Sequence, residues 1–507
     1  MEFINNIFSW LIKKRLHQIE LFKKYPIDVQ KELFSKLVDT ARETEWGRKY
    51  DYSSIKSEND FKNRVPLQDY DSIKHYILRM KQGSQNLLWN SEIKWFAKSS
   101  GTTSDKSKFI PVSTESLEDC HYKGGKDLLA MYLNNCPDSK LFSGKGLIVG
   151  GTNQINPFSS DSYYGDLSAI IIKNLPFWAE YLRTPDLSIA LMSEWEEKLE
   201  KMALTTINED VSNISGVPSW TLVLLKRILE ITGKKNIAEV WPNLEVYFHG
   251  GVSFAPYREQ FKKMIPFSKM NYMETYNASE GFFGIQDDLK RDDMLLMLDY
   301  GIYYEFLPMS SFDNVIPEKS GTKTLSLEEV SLHTNYAVVI STNGGLWRYI
   351  IGDTIRFTSL NPFKFQITGR TKSFINAFGE VLIRDNAEKA LAAACEKTGA
   401  TIREYTAAPV FMDENGQGGH EWLIEFESSP DSIEKFAKIL DETLKEVNSD
   451  YEAKRHKDLA LKFPEVKVLP EGTFYNWLKK RGKLGGQHKV QRLSNDRKIV
   501  EEILETV

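Results

Sequence analysis

The stretch FAKSSGTTSDKSKFIPVS, residues 96–113, contains more glycine, hydroxyl and lysine residues than an ordinary turn needs. Backbone N–H groups of a loop of small residues can converge on phosphate oxygens, hydroxyls add donors without bulk, and a lysine such as Lys108 adds charge. The GxxxxGK[ST] spacing of a Walker A loop is absent. The stretch therefore predicts a different kind of phosphate-binding loop, and a plain Ser/Thr/Gly turn is the alternative. The small residues are Ser99, Ser100, Gly101, Thr102 and Thr103.

A second glycine-rich point lies at Gly250 and Gly251, between the apolar run LEVYFH and the helical pattern FAPYREQFKKMI. Glycines at the carboxyl end of a strand let a flat ligand approach the backbone closely, as in open α/β sheets. A tight strand-to-helix turn is the alternative interpretation. His249, beside this pair, and His121 are interpreted as structural histidines and not as catalytic bases.

Two further stretches carry polar groups suited to a nucleotide. In METYNASEGFFG, residues 273–284, Tyr276 offers a ring for stacking, Ser279 a hydroxyl, and Glu280 a hard carboxylate of the kind that Mg²⁺ prefers. In GLWRYIIGDTIRF, Asp353 comes after an apolar run and Gly352, and its carboxylate can accept both hydroxyls of a ribose. A turn aspartate is the alternative for the second stretch.

The composition of the whole chain bounds the class of protein. The 507 residues suffice for two domains, and the net charge of -5 gives no electrostatic reason to expect nucleic-acid binding. The 3 cysteines, Cys120, Cys136 and Cys395, have neither disulfide nor zinc-ligand spacing.

No apolar run approaches the roughly 20 residues of a membrane span. The apolar N-terminus predicts a helix packed on the body, with a membrane-surface anchor as the minor alternative. A cytoplasmic protein is expected.

The order of the predicted elements indicates an α/β protein with two domains. A strand at 145–151 and helices at 186–204 and 219–232 precede a strand, helix, strand alternation. Successive strands then occupy 294–369, with Asn343-Gly344 as a hairpin signal. After Arg370 the pattern restarts as a smaller α+β unit. The predicted domains are 1–370 and 371–507.

Together these motifs resemble the plant auxin-responsive-promoter (Gretchen Hagen) family of acyl acid amido synthetases, a branch of the adenylate-forming superfamily that includes acyl-CoA synthetases and luciferase. The resemblance spans nearly the whole chain. It rests on the Ser-Ser-Gly-Thr loop followed by Lys108, on Tyr-x-x-Ser-Glu ending at Glu280, and on Gly-Asp ending at Asp353. Two positions depart from the family pattern: Asp105 stands where glycine is common, and Ile350 where arginine is common.

The resemblance implies a large N-terminal adenylate-forming lobe with mixed sheets and helices and a smaller, mobile α+β C-terminal lobe. It implies two half-reactions that use ATP and Mg²⁺: a carboxylic acid is adenylated with loss of pyrophosphate, and an amino acid amine then displaces AMP to give an amide. The residues must neutralise charge on the α-phosphate and the leaving pyrophosphate.

The C-terminal part contains two segments similar to superfamily motifs. GRTKSFINAFGE, residues 369–380, resembles the hinge, where Arg370 is expected to reach ribose or phosphates and Lys372 to act near the hinge; a solvated surface turn is the alternative. KKRGKLGGQHKVQR resembles the segment with the mobile lysine, here Lys489, although His488 and Gln491 depart from its pattern. An RNA-binding tail is the minor alternative for that basic run.

The resemblance thus assigns a set of roles. Lys108, Glu280 and Lys489 are the expected catalytic residues, and Glu280 is also the expected metal ligand. The apolar and aromatic residues of 117–133 and 211–224 are expected to line the acid pocket, and core packing is the alternative for both segments. An acyl-CoA ligase and a non-catalytic nucleotide-binding protein are the alternative functions. The expected nucleotide-binding residues are Ser99, Ser100, Gly101, Thr102, Thr103, Gly250, Gly251, Tyr276, Ser279, Asp353, Arg370 and Lys372.

Overall fold

The structure is a computed structural model. It describes residues 14–99, 108–150, 156–158, 162–175, 181–192, 194–251, 254, 257–314, 321–371, 374–375, 380, 382–410, 418–448, 451–452, 455, 461–484, 489–494 and 496–507.

Helices follow one another in the first part of the chain and alternate with strands further on. The α-helices are α1 (14–24), α2 (Pro26–Ala41), α3 (Glu45–Lys49), α4 (Glu58–Arg64), α5 (Tyr70–Lys81), α6 (Lys123–Asn135), α7 (Leu167–Lys173), α8 (Leu187–Ala190), α9 (Trp195–Thr206), α10 (Pro218–Thr232), α11 (Arg258–Met264), α12 (Arg384–Thr398), α13 (Ile433–Val447), α14 (Thr473–Lys480) and α15 (Lys498–Leu504).

The strands are β1 (Trp95–Ser99), β2 (Lys108–Val112), β3 (Lys145–Val149), β4 (Asn156–Pro157), β5 (Tyr163–Gly165), β6 (Arg183–Thr184), β7 (Val211–Gly216), β8 (Val246–Gly250), β9 (Asn271–Ala278), β10 (Gly281–Ile285), β11 (Met294–Leu296), β12 (Ile302–Pro308), β13 (Asn335–Thr342), β14 (Tyr349–Leu360), β15 (Phe363–Arg370), β16 (Phe374–Ile375), β17 (Leu382–Ile383), β18 (Thr401–Val410), β19 (Gly419–Ser428) and β20 (Glu465–Leu469).

Most of these strands form one mixed sheet. Its order is β12-β13-β14-β15-β11-β10-β9-β8-β7-β3-β6, and the strands from β9 to β6 pair in parallel. The four-stranded sheet β2-β1-β5-β4 and the three-stranded sheet β18-β19-β20 are separate. Parallel strands with crossover helices bury both faces, and β8 accordingly is an apolar run with buried side chains. The predicted α/β class is confirmed.

The chain divides into two compact units. The larger contains described residues of Met1–Val252, Ile265–Ile351 and Ile355–Gln366, and the smaller those of Ser253–Met264, Gly352–Thr354 and Ile367–Val507. The smaller unit thus includes α11 and Asp353, which lie earlier in the sequence than the predicted boundary at residue 370. That boundary, and the mobility of 371–507, stay predictions.

The described part of the N-terminal segment packs on the larger unit. The Arg15 guanidinium, in α1, donates to both carboxylate oxygens of the buried Asp127 at 2.6–2.9 Å and to Asp299 at 2.7 and 2.9 Å. Residues 1–13 lie outside the described part of the chain. None of the described helices has the length and apolar character that crossing a membrane requires.

Several predicted elements are found with different bounds. The helix predicted over 186–204 is two helices, because Asp186 caps α8 and the Lys198 ammonium, in α9, donates to the terminal Ala190 carbonyl at 2.7 Å. The helix predicted to start at Ser219 starts at Pro218, whose missing N–H costs nothing in a first turn, and it ends at Gly233 as predicted. Ahead of α6, residues Ser116–Tyr122 form π-helical turns, which periodicity does not reveal.

The Asn343-Gly344 signal marks a connection between paired strands, but not a two-residue hairpin. β13 and β14 are neighbours, and residues 343–348 connect them. The connection contains Gly345 at φ 89° and Arg348 at φ 44°, and Arg348 is buried against Glu305 with a nitrogen to oxygen distance of 3.0 Å. The ion pair holds a residue in a left-handed conformation that side chains rarely adopt.

Candidate active site

The two ends of the predicted phosphate loop lie opposite each other. Strands β1 and β2 pair antiparallel, and Ser99 is in register with Lys108. The Tyr70 hydroxyl accepts a hydrogen bond from the Phe109 N–H at 3.0 Å, and the Lys108 ammonium lies 5.8 Å from the Tyr70 ring centroid. Helix α5 therefore fixes the start of β2 and the position of Lys108. The other loop residues, Ser100, Gly101, Thr102 and Thr103, lie outside the described residues.

The glycine pair ends β8 beside β9. A Cβ at Gly250 would lie 2.5 Å from the Thr275 carbonyl oxygen, and Gly251 has φ 79°, so both positions favour glycine. The Thr275 hydroxyl donates to the His249 carbonyl at 3.3 Å. His249 itself is buried in β8 with its ring 5.5 Å from that of Tyr247. The pair thus lies at a close approach between the backbones of β8 and β9, and its contact with a flat ligand stays a prediction.

Ser279 and Glu280 form the tight turn between β9 and β10, in which Ala278 pairs with Gly281. The Ser279 hydroxyl oxygen is buried and has no hydrogen-bond partner among the described residues. A buried hydroxyl of this kind is costly unless a ligand or water pairs with it. The turn therefore presents an oxygen ligand and an unsatisfied hydroxyl side by side.

Tyr276 is more enclosed than a free stacking platform. Its ring centroid lies 4.8 Å from that of Phe283 and 6.0 Å from that of Phe365, and the residue is 6% exposed. Those neighbours fix the ring at the end of β9. Its role against an adenine stays a prediction.

Asp353 and Arg370 meet in the smaller unit. The Arg370 Nε lies 3.0 Å from an Asp353 carboxylate oxygen. The sequence placed Asp353 after a strand, but it lies within β14, because the strand passes through Gly352 at φ 95°. The Thr371 N–H donates to the Gly352 carbonyl at 2.8 Å, which ties the end of β15 to this point. The carboxylate that is expected to bind ribose is therefore held by its neighbouring strand.

Lys489 belongs to the same cluster. Desolvation by the surrounding protein atoms, followed by the positive charges of Arg370 and Arg384, lowers the pKa of Lys489 to about 8, although the residue is exposed to solvent. Asp353 opposes that shift. The structure thus brings three of the predicted residues, Asp353, Arg370 and Lys489, into one electrostatic cluster. Lys372 lies outside the described residues.

Sequence reasoning did not select Arg384 or Thr275. Arg384 opens α12 fourteen residues after Arg370, and only the fold brings its charge to Lys489. The Thr275 backbone lies opposite Gly250, and the sequence carries no signal for this pairing.

Glu280 as a ligand of Mg²⁺ stays a prediction. Among the residues that the structure describes, no group of three His, Cys, Asp or Glu side chains could hold a metal ion by itself. A Mg²⁺ at Glu280 would take its other ligands from phosphate oxygens and water, as this ion usually does.

The fold defines the class of protein. The chain is similar to the solved GH3.15 acyl acid amido synthetase, with a TM-score of 0.79 and 18% identity over 97% of this chain and 95% of that one. It is also similar to 2-hydroxyisobutyryl-CoA ligase in its postadenylation state, with a TM-score of 0.60 and 13% identity over 94% and 90% of the two chains. The fold is therefore that of adenylate-forming ligases.

The family follows from the sequence models. The GH3 family N-terminal domain matches residues 15–270, the central domain 295–370 and the C-terminal domain 385–498. The chain belongs to the GH3 family, as its motifs indicated.

Curated relatives cover nearly the full chain. Indole-3-acetic acid-amido synthetase GH3.4 of Arabidopsis thaliana is 23% identical over 94% of this chain and 91% of its own. The 4-substituted benzoates-glutamate ligase GH3.12 of the same plant is 22% identical, over 94% of each chain. Jasmonoyl-L-amino acid synthetase JAR6 of Nicotiana attenuata is 23% identical over 94% and 91%.

Proposed function

We propose that this protein is an ATP-dependent acyl acid amido synthetase that joins a small carboxylic acid to the amine of an amino acid. Membership of the GH3 family over three successive domains is the observation that carries the proposal. The carboxylate attacks the α-phosphorus of ATP, one of its oxygens becomes the bridge of an acyl-adenylate, and pyrophosphate leaves. The amine then attacks the acyl carbon, and AMP leaves with the bridging oxygen.

The larger unit supplies residues for phosphate and metal. Lys108, at one end of the loop, supplies positive charge for the phosphate oxygens, and Gly250 and Gly251 are the proposed backbone contacts for a flat group of the nucleotide. Ser279 supplies a hydroxyl without a described partner, and Glu280 beside it the carboxylate for Mg²⁺. The bound Mg²⁺ would offset negative charge on the phosphates during transfer.

The smaller unit supplies residues for the ribose and the transferred adenylyl group. Asp353 accepts hydrogen bonds from the ribose hydroxyls, and Arg370 holds its carboxylate in place from 3.0 Å. Lys489 brings a positive charge that interacts with that carboxylate, which suits it to stabilise charge on the adenylate.

The relatives indicate the substrate class. Their names specify indole-3-acetic acid, 4-substituted benzoates and jasmonate as acids, and two of the names specify the acceptor, glutamate in one and an L-amino acid in the other. We accordingly infer a small aromatic or alicyclic carboxylic acid for this chain, and we place the reaction in the cytoplasm.

The proposal is tested by pyrophosphate release from ATP and Mg²⁺ with a panel of aromatic, jasmonate-like and fatty acids, first without and then with pooled amino acids. We expect release that depends on an acid, is stimulated by amino acids, and is lost in Glu280→Ala. Chelation of Mg²⁺ with EDTA should stop the release, and added Mg²⁺ should restore it. The contrary result is ATP binding without pyrophosphate release for any acid, which would favour a non-catalytic nucleotide-binding protein.

The second candidate is a thioester-forming acyl-CoA ligase, which the fold similarity to 2-hydroxyisobutyryl-CoA ligase favours. Such an enzyme shares the adenylation step and differs only in its acceptor. Stimulation of AMP formation by CoA, and not by amino acids, would select this candidate.

A further inference from the structure

Arg384 has a guanidinium that is bonded through Nε and, within the described part of the chain, unpaired at its two terminal nitrogens. Its Nε donates to the Glu388 carboxylate at 2.6 Å, one helical turn along α12. Neither terminal nitrogen makes a hydrogen bond with a described residue, and one of them is fully buried. The side chain as a whole is 17% exposed. A buried guanidinium nitrogen without an acceptor is costly, which indicates that an acceptor arrives with a ligand.

Arg384 lies beside the cluster already described in the smaller unit. A Cβ at Gly369, the residue before Arg370, would lie 3.1 Å from the Arg384 Cβ, so the two backbones are in contact. Arg370 in turn pairs with Asp353. The charge of Arg384 also contributes to lowering the pKa of Lys489, which shows that the two cations are near each other.

The charges around this point leave an excess of positive charge. Asp353 is paired with Arg370, and Glu388 with the Nε side of Arg384. Lys489 adds a further cation. A small oxyanion is therefore the chemistry that the cluster attracts.

We propose that the terminal nitrogens of Arg384 bind the carboxylate of the amino acid acceptor during amide formation. This inference rests on the proposed function and deepens it by assigning the group that recognises the acceptor.

Geometry favours a carboxylate over other acceptors. The two terminal nitrogens of a guanidinium match the two oxygens of a carboxylate in a planar, bidentate pair. The Glu388 contact fixes the plane of the guanidinium before the acceptor binds, so little side-chain freedom is lost on binding. A phosphate oxygen of ATP is the other source of an oxyanion, and the experiment separates the two.

The experiment compares Arg384→Gln with the wild-type enzyme in separate half-reactions. We expect the KM for the amino acid to rise about tenfold or more, since a charged hydrogen-bonded pair is lost. Acid-dependent pyrophosphate release without amino acid, and the KM for ATP, should stay within about twofold because adenylation does not use this contact. Arg384→Lys should restore only part of the loss, because an ammonium lacks the planar pair of donors.

A second substrate provides the decisive readout. The carboxamide of the same amino acid has the amine but no carboxylate. Wild-type enzyme should prefer the amino acid over the carboxamide, and Arg384→Gln should lose that preference, which a merely structural role would not produce.

Lys389→Gln is the matched control, because this exposed lysine of the same helix pairs with Asp385 and should leave all parameters unchanged. A raised KM for ATP with unchanged preference for the amino acid would assign Arg384 to phosphate and overturn the inference, as would unchanged parameters in Arg384→Gln. Failure of the proposed function is distinct, since wild-type enzyme itself would then release no pyrophosphate or form no amide.

Discussion

At the scale of single residues, the smaller unit concentrates charge around one carboxylate. Asp353 is 18% exposed and pairs with Arg370, while Lys489 and Arg384 lie close enough to influence one another. A carboxylate held in this way keeps its two oxygens oriented for incoming hydroxyl donors. The cluster therefore combines a hydroxyl acceptor with cations suited to an adenylate.

Asp353→Asn should raise the KM for ATP about tenfold, because an amide accepts ribose hydroxyls less strongly than a carboxylate does. The lost pair with the half-exposed Arg370 should cost under about 1 kcal/mol of stability. Initial rates of pyrophosphate release over a range of ATP concentrations measure the effect. Asp431→Asn, an exposed acid of the same unit, is the control. An unchanged KM for ATP would remove Asp353 from the site.

The pH dependence of adenylation should report on Lys489. Its lowered pKa, about 8, means that the ammonium is charged below pH 8 and loses its proton as the pH rises through that value. The ratio of wild-type to Lys489→Met rates should therefore be largest near pH 7 and fall above pH 8. Lys489→Arg keeps its charge and should show no such fall. A ratio that is constant from pH 6.5 to 9.5 would contradict the assignment.

Local sequence was informative at this scale where the group lies in a short motif. Glu280 and Ser279 are found in one turn, and Lys108 lies at the loop end opposite Ser99. The unpaired terminal nitrogens of Arg384 were not predictable from the sequence. They depend on the bond of Glu388 to the other side of the guanidinium and on the contact of Arg384 with Gly369, fifteen residues earlier.

At the scale of elements, close approaches between strands position the site. The end of β8 contacts β9 at Gly250 and Thr275, two adjacent strands that carry the predicted nucleotide residues. Arg348 and Glu305 hold the start of β14, the strand that leads to Asp353.

Gly250→Ala should destabilise the protein by about 1–3 kcal/mol, because the added Cβ must displace the Thr275 carbonyl. It should also lower the adenylation rate. Urea unfolding followed by tryptophan fluorescence measures the first effect. Gly125→Ala is the matched control: nothing lies within 4 Å of its Cβ position in α6, so it should stabilise by about 0.5–1 kcal/mol. Equal unfolding midpoints for the two variants would contradict the packing described.

Glu305→Gln should cost about 3–5 kcal/mol, because it leaves the fully buried Arg348 without its counter-charge. The unfolding transition in urea should shift to clearly lower concentration. Glu200→Gln is the control, since it weakens an exposed pair with Arg227 and should cost under about 1 kcal/mol. Similar shifts of the urea midpoint for the two variants would show that the buried pair does not stabilise the fold.

Element prediction succeeded where the sequence contains its own stop signals. Gly233, directly after the helix predicted over 219–232, follows α10 in the left-handed conformation. It failed at Gly352, because a strand that continues through a positive-φ glycine looks like a strand followed by a turn. The pair of Glu305 with Arg348 joins residues 43 positions apart and has no local signature.

At the scale of the whole molecule, the α/β class and the family were predictable because several motifs occur in a fixed order along the chain. The division of the chain into two units was harder to predict from the sequence. The described residues of Ser253–Met264 belong to the smaller unit although they lie far from residue 370 in sequence, since contacts and not chain order define a compact unit. We propose that 371–507 moves between the two half-reactions.

The proposed reaction passes through an acyl-adenylate between the acid and the amide. The transfer of ¹⁸O from the acid to AMP is the direct test of that intermediate. A carboxylic acid labelled with ¹⁸O at both carboxylate oxygens is incubated with the enzyme, ATP, Mg²⁺ and the preferred amino acid. Mass spectrometry then measures the masses of the products. We expect one ¹⁸O in AMP and one in the amide, because AMP leaves with the bridging oxygen. Label in orthophosphate, or unlabelled AMP alongside the amide, would contradict that expectation.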